Sequence, residues 1–415
     1  MTINKMDEGQ LIPELYRKEY GKMVTVLCSR FGIAYMDVAE DIVSDTFLSA
    51  AETWGLRGVP SNPVSWLYAV ARNNALNSLK HDRVFQRQVK KELTTDGEKS
   101  IEMDIDLSPQ NITDSQLQMM FAICHPSIPV EAQVSLSLRV LCGFSIDEIA
   151  RALLTTKSNI NKRLFRAKEK LRLEEVKIAV PGNGEISARL DTVLVCLYLL
   201  FNEGYYSASP DKVMRKDFCL EAMRLTYLLI GNASTRVPKV YALMALMCFQ
   251  ASRFDARIDD SGELVLYEDQ DIRRWDEELI QRGNDFFIWA IRSGEVSKYH
   301  LEAAIAWWHS HPAEEGEKWA NILRLYNQRL ILEYSPVAAL NRAYAFYRVY
   351  GRERAIAEAE SLQLTGNLFY HSLLGELYTG VDNEQARRHF IQALELAGSP
   401  AERVVLEKKM GSLIN

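Results

Sequence analysis

Between Leu11 and Arg83 apolar residues return every three or four positions, and almost nothing alternates as a half-buried strand does. The stretch predicts a small helical domain. Within it, Val38, Ile42, Asp45/Thr46 and Ser49 recur at helical spacing and frame an acidic face, and AEDIVSDTFLSAAETW puts Glu40, Asp41, Ser44 and Asp45 on one face. Asn62 followed by Pro63 predicts a helix start, cap and then first helical position, after a short projecting loop, WGLRGVPS. The helix that follows carries Arg72, Asn73, Asn77 and Lys80 on polar positions beside an apolar set of Leu67, Val70, Ala71 and Leu79.

A second helical pattern runs from about Ser115 to Glu175. Ser145-Ile146-Asp147-Glu148 has the S-x-x-E form of a capping box, in which serine and glutamate satisfy each other's free backbone N–H groups. A short helix, IDEIARAL, should follow. Thr156 can cap a longer one, KSNINKRLFRAKEKLR, so the segment predicts a helix-turn-helix. At about 100° per residue Ile160, Leu164, Ala167 and Leu171 share one side and must face the core. The opposite side then presents Ser158, Lys162, Phe165 and Glu169, with Asn161 and Arg166 on its flanks.

Leu93 to Asp114 mixes Gly, Pro, Ser, Thr and acids without sustained periodicity, which predicts a flexible linker. KIAVPGNGE supplies a second break through Pro181, Gly182 and Gly184. From Ile186 the pattern is helical again, with a two-strand or loop insertion at Ala256 to Leu266 and a turn at Asp260-Ser261-Gly262. Two stretches of this array resemble each other. Ala343 and Phe346 match Gly375 and Tyr378, and Ala355 matches Ala386, at a period close to that of tetratricopeptide repeats. The expected architecture is all-α. It comprises a first helical domain over residues 10–92, a linker over 93–114, a helix-turn-helix domain over 115–178 and a helical extension over 186–415, with repeats at about 336–400.

Composition narrows the function classes. Charged residues make up 25% and apolar ones 47% of 415, which excludes a disordered or fibrous chain. The longest apolar run, Thr192 to Phe201, is half of what a membrane span requires, and MTINKMDEGQ has no apolar signal core, so a cytoplasmic protein without a membrane role is expected. Six scattered cysteines without a CxxC pair predict buried reduced thiols. The first 180 residues are net neutral and the remainder carries the whole net charge of −6. Inside the neutral part the order is basic, acidic, basic: Arg72 to Lys91, Glu92 to Asp114, and Lys157 to Arg172 with seven basic residues and one acid.

That third block, on a capped helix, suits a major groove: bases read near its N-terminal half, phosphates met by the later cations. Read alone, a charge run is a solvated face, and the capped short helix in front of it argues for more. Around Asn62, amides and cations suit nucleic acid, and Trp54, Trp66 and Tyr68 could stack on unpaired bases, although core burial is the plainer reading of Trp66. The acidic face is either solvated surface or a dock for a basic protein partner. Nothing predicts catalysis, a cofactor or a metal. Cys124-His125 with Cys142 lacks a fourth ligand and zinc-type spacing.

AEDIVSDTFLSAAETW, then NPVSWLYAVARNNALNSLKHDR, then FSIDEIARALLTTKSNINKRLFRAKEKLR resemble regions 2 and 4 of sigma-70-type factors of the extracytoplasmic-function group, over nearly all of residues 10–175. YLLFNEGYYSAS, GELVLYEDQDIRRWD and SPVAALNRAYAF resemble the subgroup with a long tetratricopeptide-like C-terminal extension. Leu154 departs from the usual glycine of the turn, and Asn161-Lys162 falls where the subgroup varies. The resemblance implies that Glu40, Asp41 and Asp45 bind the clamp helices of the largest subunit of core RNA polymerase. It places the −10 element at the loop Gly58 to Asn62, with Ser61 and Asn62 beside a flipped base and Arg72, Asn73, Asn77 and Lys80 on the following helix. Ser158, Asn161, Lys162, Phe165 and Arg166 would read the −35 element of promoter DNA, the second domain leaning on the polymerase flap. The acidic linker would thread the RNA-exit path.

The C-terminal half is then a modulator, answering to a regulatory protein or peptide or masking the basic helices by its charge, or else a passive stabilising domain. Two rivals remain at this level. A one-component helix-turn-helix activator with a sensory helical domain leaves residues 10–90 unexplained. An enzyme in the helical half would have only Glu203 and Asp269/Asp271 to work with, and these more simply pair with Arg273 or Arg274 or cap helices.

Overall fold

A computed structural model describes residues 8–81, 105–153, 155–182, 184–205, 215–259, 265, 267–311, 314–398, 400–411 and 413. Among them the chain is all-α, with eighteen helices and no strand. Two compact units divide it, Met1–Leu200 and Phe201–Asn415.

In the first unit α1 (Glu8–Phe31), α2 (Met36–Arg57) and α3 (Pro63–His81) form one helical module. Their apolar stripes meet, burying Met23, Val24 and Leu27 of α1, Val43, Phe47 and Ala50 of α2, and Leu67, Ala71 and Ala75 of α3. Helix α2 runs on through Arg57, so half of the expected loop is helical. It stops where Gly58 takes φ +81°, a left-handed geometry that suits glycine, and the Gly58 N–H donates to the Trp54 carbonyl at 2.9 Å. Asn62 then caps α3 as expected, its Oδ1 accepting the Ser65 N–H at 3.0 Å.

Most of the expected linker lies outside the described residues. Its end is helical: Ser108 accepts the Asn111 N–H and starts α4 (Pro109–Ile123) well before Ser115. Next come α5 (Val130–Leu136), a π-helical turn (Ser137–Leu141), α6 (Ile146–Ala152) and α7 (Lys157–Leu173). Helix α1 belongs to both modules, packing on α2 and α3 and also on α4 and the π-helical turn. Gly21 permits this, because a Cβ there would sit 2.3 Å from the Leu141 carbonyl oxygen. The break after α7 is irregular, as its Pro and Gly residues predict. Helix α8 (Ile186–Tyr205) follows, and the first unit keeps it as far as Leu200. There Cys196 Sγ lies 3.4 Å from Ser137 Oγ and the Arg189 guanidinium donates to the Phe121 carbonyl.

The second unit contains α9 (Lys216–Gly231), α10 (Pro238–Ala251), α11 (Glu277–Ile291), α12 (Lys298–Ser310), α13 (Glu315–Leu332), α14 (Pro336–Tyr350), α15 (Arg352–Glu360), α16 (Leu368–Tyr378), α17 (Asn383–Leu396) and α18 (Pro400–Gly411). Most pack chiefly on their neighbours in the chain, while α12 packs most on α10. The matched small residues sit at equivalent buried places, Ala343 on α14 and Gly375 on α16, Ala355 on α15 and Ala386 on α17. At Gly375 a Cβ would meet the Phe390 ring at 2.6 Å, so the small residue sets how closely α16 and α17 approach. In the expected insertion the Val265 N–H donates to the Arg257 carbonyl at 2.8 Å, bringing its two limbs together with no strand among the described residues, and Asp260-Ser261-Gly262 lies outside them. All six cysteines are buried and none is in a disulfide.

Candidate nucleic-acid and polymerase interface

The helix-turn-helix is built by its caps. The Ser145 N–H donates to Glu148 Oε2 at 2.8 Å while Ser145 Oγ accepts the Glu148 N–H at 3.2 Å, closing the box that starts α6. Thr156 accepts the Asn159 N–H and starts α7. Leu154, between them, lies outside the described residues. On α7 the seam Ile160, Leu164, Ala167 and Leu171 is buried, which turns Ser158, Asn161, Lys162, Phe165 and Arg166 outward together. Phe165 is 70% exposed. An exposed aromatic among cations and an amide is a costly surface in water and a useful one against thymine methyl groups and phosphates.

Around the capped start of α3, Ser61, Asn62, Arg72, Asn73 and Asn77 are exposed. Lys80 belongs to α3, and its side chain is outside the described residues. The aromatic residues behave differently from the stacking expectation. Trp54 and Tyr68 are buried, with the Tyr68 hydroxyl donating to Glu19 at 3.0 Å, and half-buried Trp66 meets Trp54 edge-on at 5.4 Å between ring centroids. These rings build the module that holds the loop.

The acidic face of α2 is split. Asp41 and Asp45 are exposed, but Glu40 is only 7% exposed and points into the first unit, because consecutive helical residues diverge by about 100°. The expectation of one continuous acidic surface is corrected there. Glu40 Oε2 accepts from the Arg139 guanidinium at 2.9 Å and from the Tyr20 hydroxyl at 3.3 Å, and Oε1 accepts from Lys168 at 2.5 Å. Lys168 also donates to Asp37 at 2.8 Å. Burial alone would lower the Lys168 and Arg139 pKa values. Glu40 with Asp37 for the lysine, and Tyr20 with Glu40 for the guanidinium, more than offset it, and both end above their ordinary values. A second tie joins the modules: Arg17 pairs with Glu148 and lies 3.8 Å over the Phe144 ring. Burial pushes Glu148 up, but the Ser145 backbone and hydroxyl together with Arg17 hold its carboxyl below the usual range.

One residue escaped the sequence reading. Leu48 is 59% exposed and lies at helical spacing with Asp41, Asp45 and exposed Glu52, so the outer face of α2 is an acidic strip around an apolar centre. An apolar residue inside an apolar-periodic helix gives no signal of its own exposure. Among the described residues no cluster of His, Cys, Asp and Glu could hold a metal, and no helix is long and apolar enough to cross a membrane. Asp271 caps a short turn by accepting the Arg273 N–H at 3.0 Å and pairs with the same arginine at 2.9 Å.

Three stretches match protein-family models: residues 16–84 match Sigma-70 region 2, residues 124–171 match Sigma-70, region 4, and residues 189–290 match a family of unknown function, DUF6596. The chain is 32% identical over 384 residues to the uncharacterized protein R00370 of Rhizobium meliloti (strain 1021), an alignment covering 91% of this chain and 90% of that relative. No solved structure matches it. The first two matches fall on the α1–α3 module and on the helix-turn-helix module. The chain belongs to one family with that Rhizobium meliloti protein and, carrying regions 2 and 4 on these modules, is a sigma-70-type sigma factor, which binds RNA polymerase and promoter DNA.

Proposed function

We propose that this is an alternative-type sigma factor of the extracytoplasmic-function group whose α7 reads the −35 element, whose Gly58–Asn62 loop and α3 hold the −10 element, and whose C-terminal helical unit, tetratricopeptide-like in its last hairpins, modulates activity. The observation that carries it is the exposed face of α7: Ser158, Lys162 and Phe165 lie opposite a fully buried seam, with exposed Asn161 and Arg166 on the flanks. Lys162 and Asn161 supply base-edge hydrogen bonds, Arg166 meets phosphate, and Ser61 with the exposed amides and cation of α3 borders the displaced strand. Docking on the clamp helices of the largest polymerase subunit falls to Asp41 and Asp45, with Leu48 on the same strip one turn beyond Asp45. Glu40 joins that surface only when region 4 withdraws Lys168 and Arg139, so polymerase binding and separation of the two modules are linked.

Run-off transcription with core polymerase tests this reading. Full-length protein is expected to direct initiation from one promoter class, and a chain shortened from Asn415 to before Tyr370 to change that activity by more than its folded fraction explains. Tight duplex binding without polymerase association or initiation would favour a one-component activator instead.

A further inference from the structure

The second unit contains a cavity of about 570 Å³ between the start of α13, the face of α14 and the segment Tyr267 to Trp275, within the size range of small-ligand sites. Its walls are aromatic: Tyr267, Trp275, Trp319, Tyr344 and Tyr347. Its charges are unevenly placed. Glu268 and Glu315 sit in solvent, with side chains 58% and 77% exposed, and both pair with Arg348, which lies 4.7 Å over the Trp319 ring. Lys318 is different. It is 9% exposed, and among the described residues no carboxylate lies within ion-pair reach of it.

The Lys318 ammonium donates to the Tyr267 hydroxyl at 2.5 Å, and that hydroxyl in turn donates to the His309 carbonyl at 2.9 Å. One phenol oxygen satisfies one of three ammonium protons. The ammonium also lies 4.7 Å from the Tyr267 ring centroid, and the Arg253 guanidinium, 5.1 Å from the same centroid, adds a second cation. His309, against Tyr267 and Trp319, is held well below its usual pKa by burial, then by Arg253 and Lys318, so it stays neutral and brings no compensating charge of either sign. A cation removed from water is costly to retain unless an anion completes it. The walls of this cavity provide flat apolar surface and no anion at depth.

We propose that this cavity binds a carboxylate-bearing ligand with a planar apolar body, the carboxylate seated on Lys318 and the body against Trp319, Tyr344 and Tyr347. The chemistry is that of an aromatic acid, either free or as the C-terminal residue of a peptide. Glu268 and Glu315 at the mouth disfavour a second negative charge on the ligand and hold Arg348 as a lid over Trp319. The site uses no residue of regions 2 or 4, and binding to it is measurable without polymerase or DNA.

Isothermal titration of the full-length protein with N-acetylphenylalanine and with its amide tests the assignment. The acid is expected to bind saturably and at least tenfold tighter than the amide. Lys318→Met is expected to erase that preference while leaving the amide within twofold, and Lys318→Arg to keep it. Tyr347→Ala, at a half-buried wall position, is expected to weaken acid and amide alike, and a circular-dichroism melt of each variant checks folding. A pentapeptide ending in a free phenylalanine carboxylate that binds tighter than N-acetylphenylalanine identifies a chain terminus as the source, and equal binding identifies a small acid. Equal affinities for acid and amide, no saturable binding by either, or a preference that survives in a folded Lys318→Met would overturn the proposal.

Discussion

Lys168 and Glu40, 128 residues apart in the chain, meet at 2.5 Å, so α7 of the helix-turn-helix module and α2 of the first module hold each other through a shared ion pair. The two partners are not equivalent. Without Lys168, Glu40 keeps Arg139 and Tyr20, whereas without Glu40 the partly buried Arg139 loses its carboxylate and Lys168 keeps only exposed Asp37. Glu40→Ala is therefore expected to destabilise the first unit by about 2–4 kcal/mol and Lys168→Met by roughly 1 kcal/mol or less. Urea unfolding of both variants checks the order, and equal losses would show that the pair is solvated.

Asp41→Lys with Asp45→Lys should abolish association with core polymerase while leaving the fold intact, because exposed helix positions tolerate charge reversal within about 0.5 kcal/mol each. Including Glu40 in the set would confuse the result by breaking the packing of region 4. Retained co-purification of polymerase with the double variant would reassign the strip to plain surface.

Lys162→Ala and Arg166→Ala should differ in kind. Lys162 stands opposite the buried seam, so its loss is expected to cost about 1–3 kcal/mol at one base position and relax preference there. Arg166 is on the flank, and its loss should weaken all sequences alike with a shallower salt dependence. Binding to a set of single-base promoter variants at two salt concentrations separates the outcomes, and uniform losses for both would reverse the assigned orientation of α7.

The second unit should lose stability on mild acidification. Burial and the neighbouring Arg253 and Lys318 depress the His309 pKa, so below the unfolded value of about 6.5 the unfolded chain takes up a proton that the folded one refuses. The stabilisation from this group is present above that pH and is lost as pH falls towards the folded pKa, with a slope of up to about 1.4 kcal/mol per pH unit. His309→Phe should flatten that part of the profile relative to the wild type. Melting followed between pH 7.5 and pH 5 reads the difference, and parallel profiles would show that the ring is reached by solvent.

The elements and the outward face of α7 were legible because both rest on local rules. Ser145 with Glu148, Asn62 with Pro63 and Thr156 before Lys157 are cap signals that act within one turn, and the spacing of Ile160, Leu164, Ala167 and Leu171 fixes which side of the helix is wet whatever it packs on. Tertiary structure decided the rest. A carboxylate at Glu40 and another at Asp41 look alike in a sequence, and only the docking of Arg139 and Lys168 from distant helices separates a buried ionic partner from a solvated one. Trp54 and Tyr68 were open to either stacking or burial until Trp54 met Trp66 of α3 and Tyr68 met Glu19 of α1. The Lys318 site had no sequence signature, since its walls come from three segments brought together by helix packing, and a charge's environment depends on what surrounds it in space rather than along the chain.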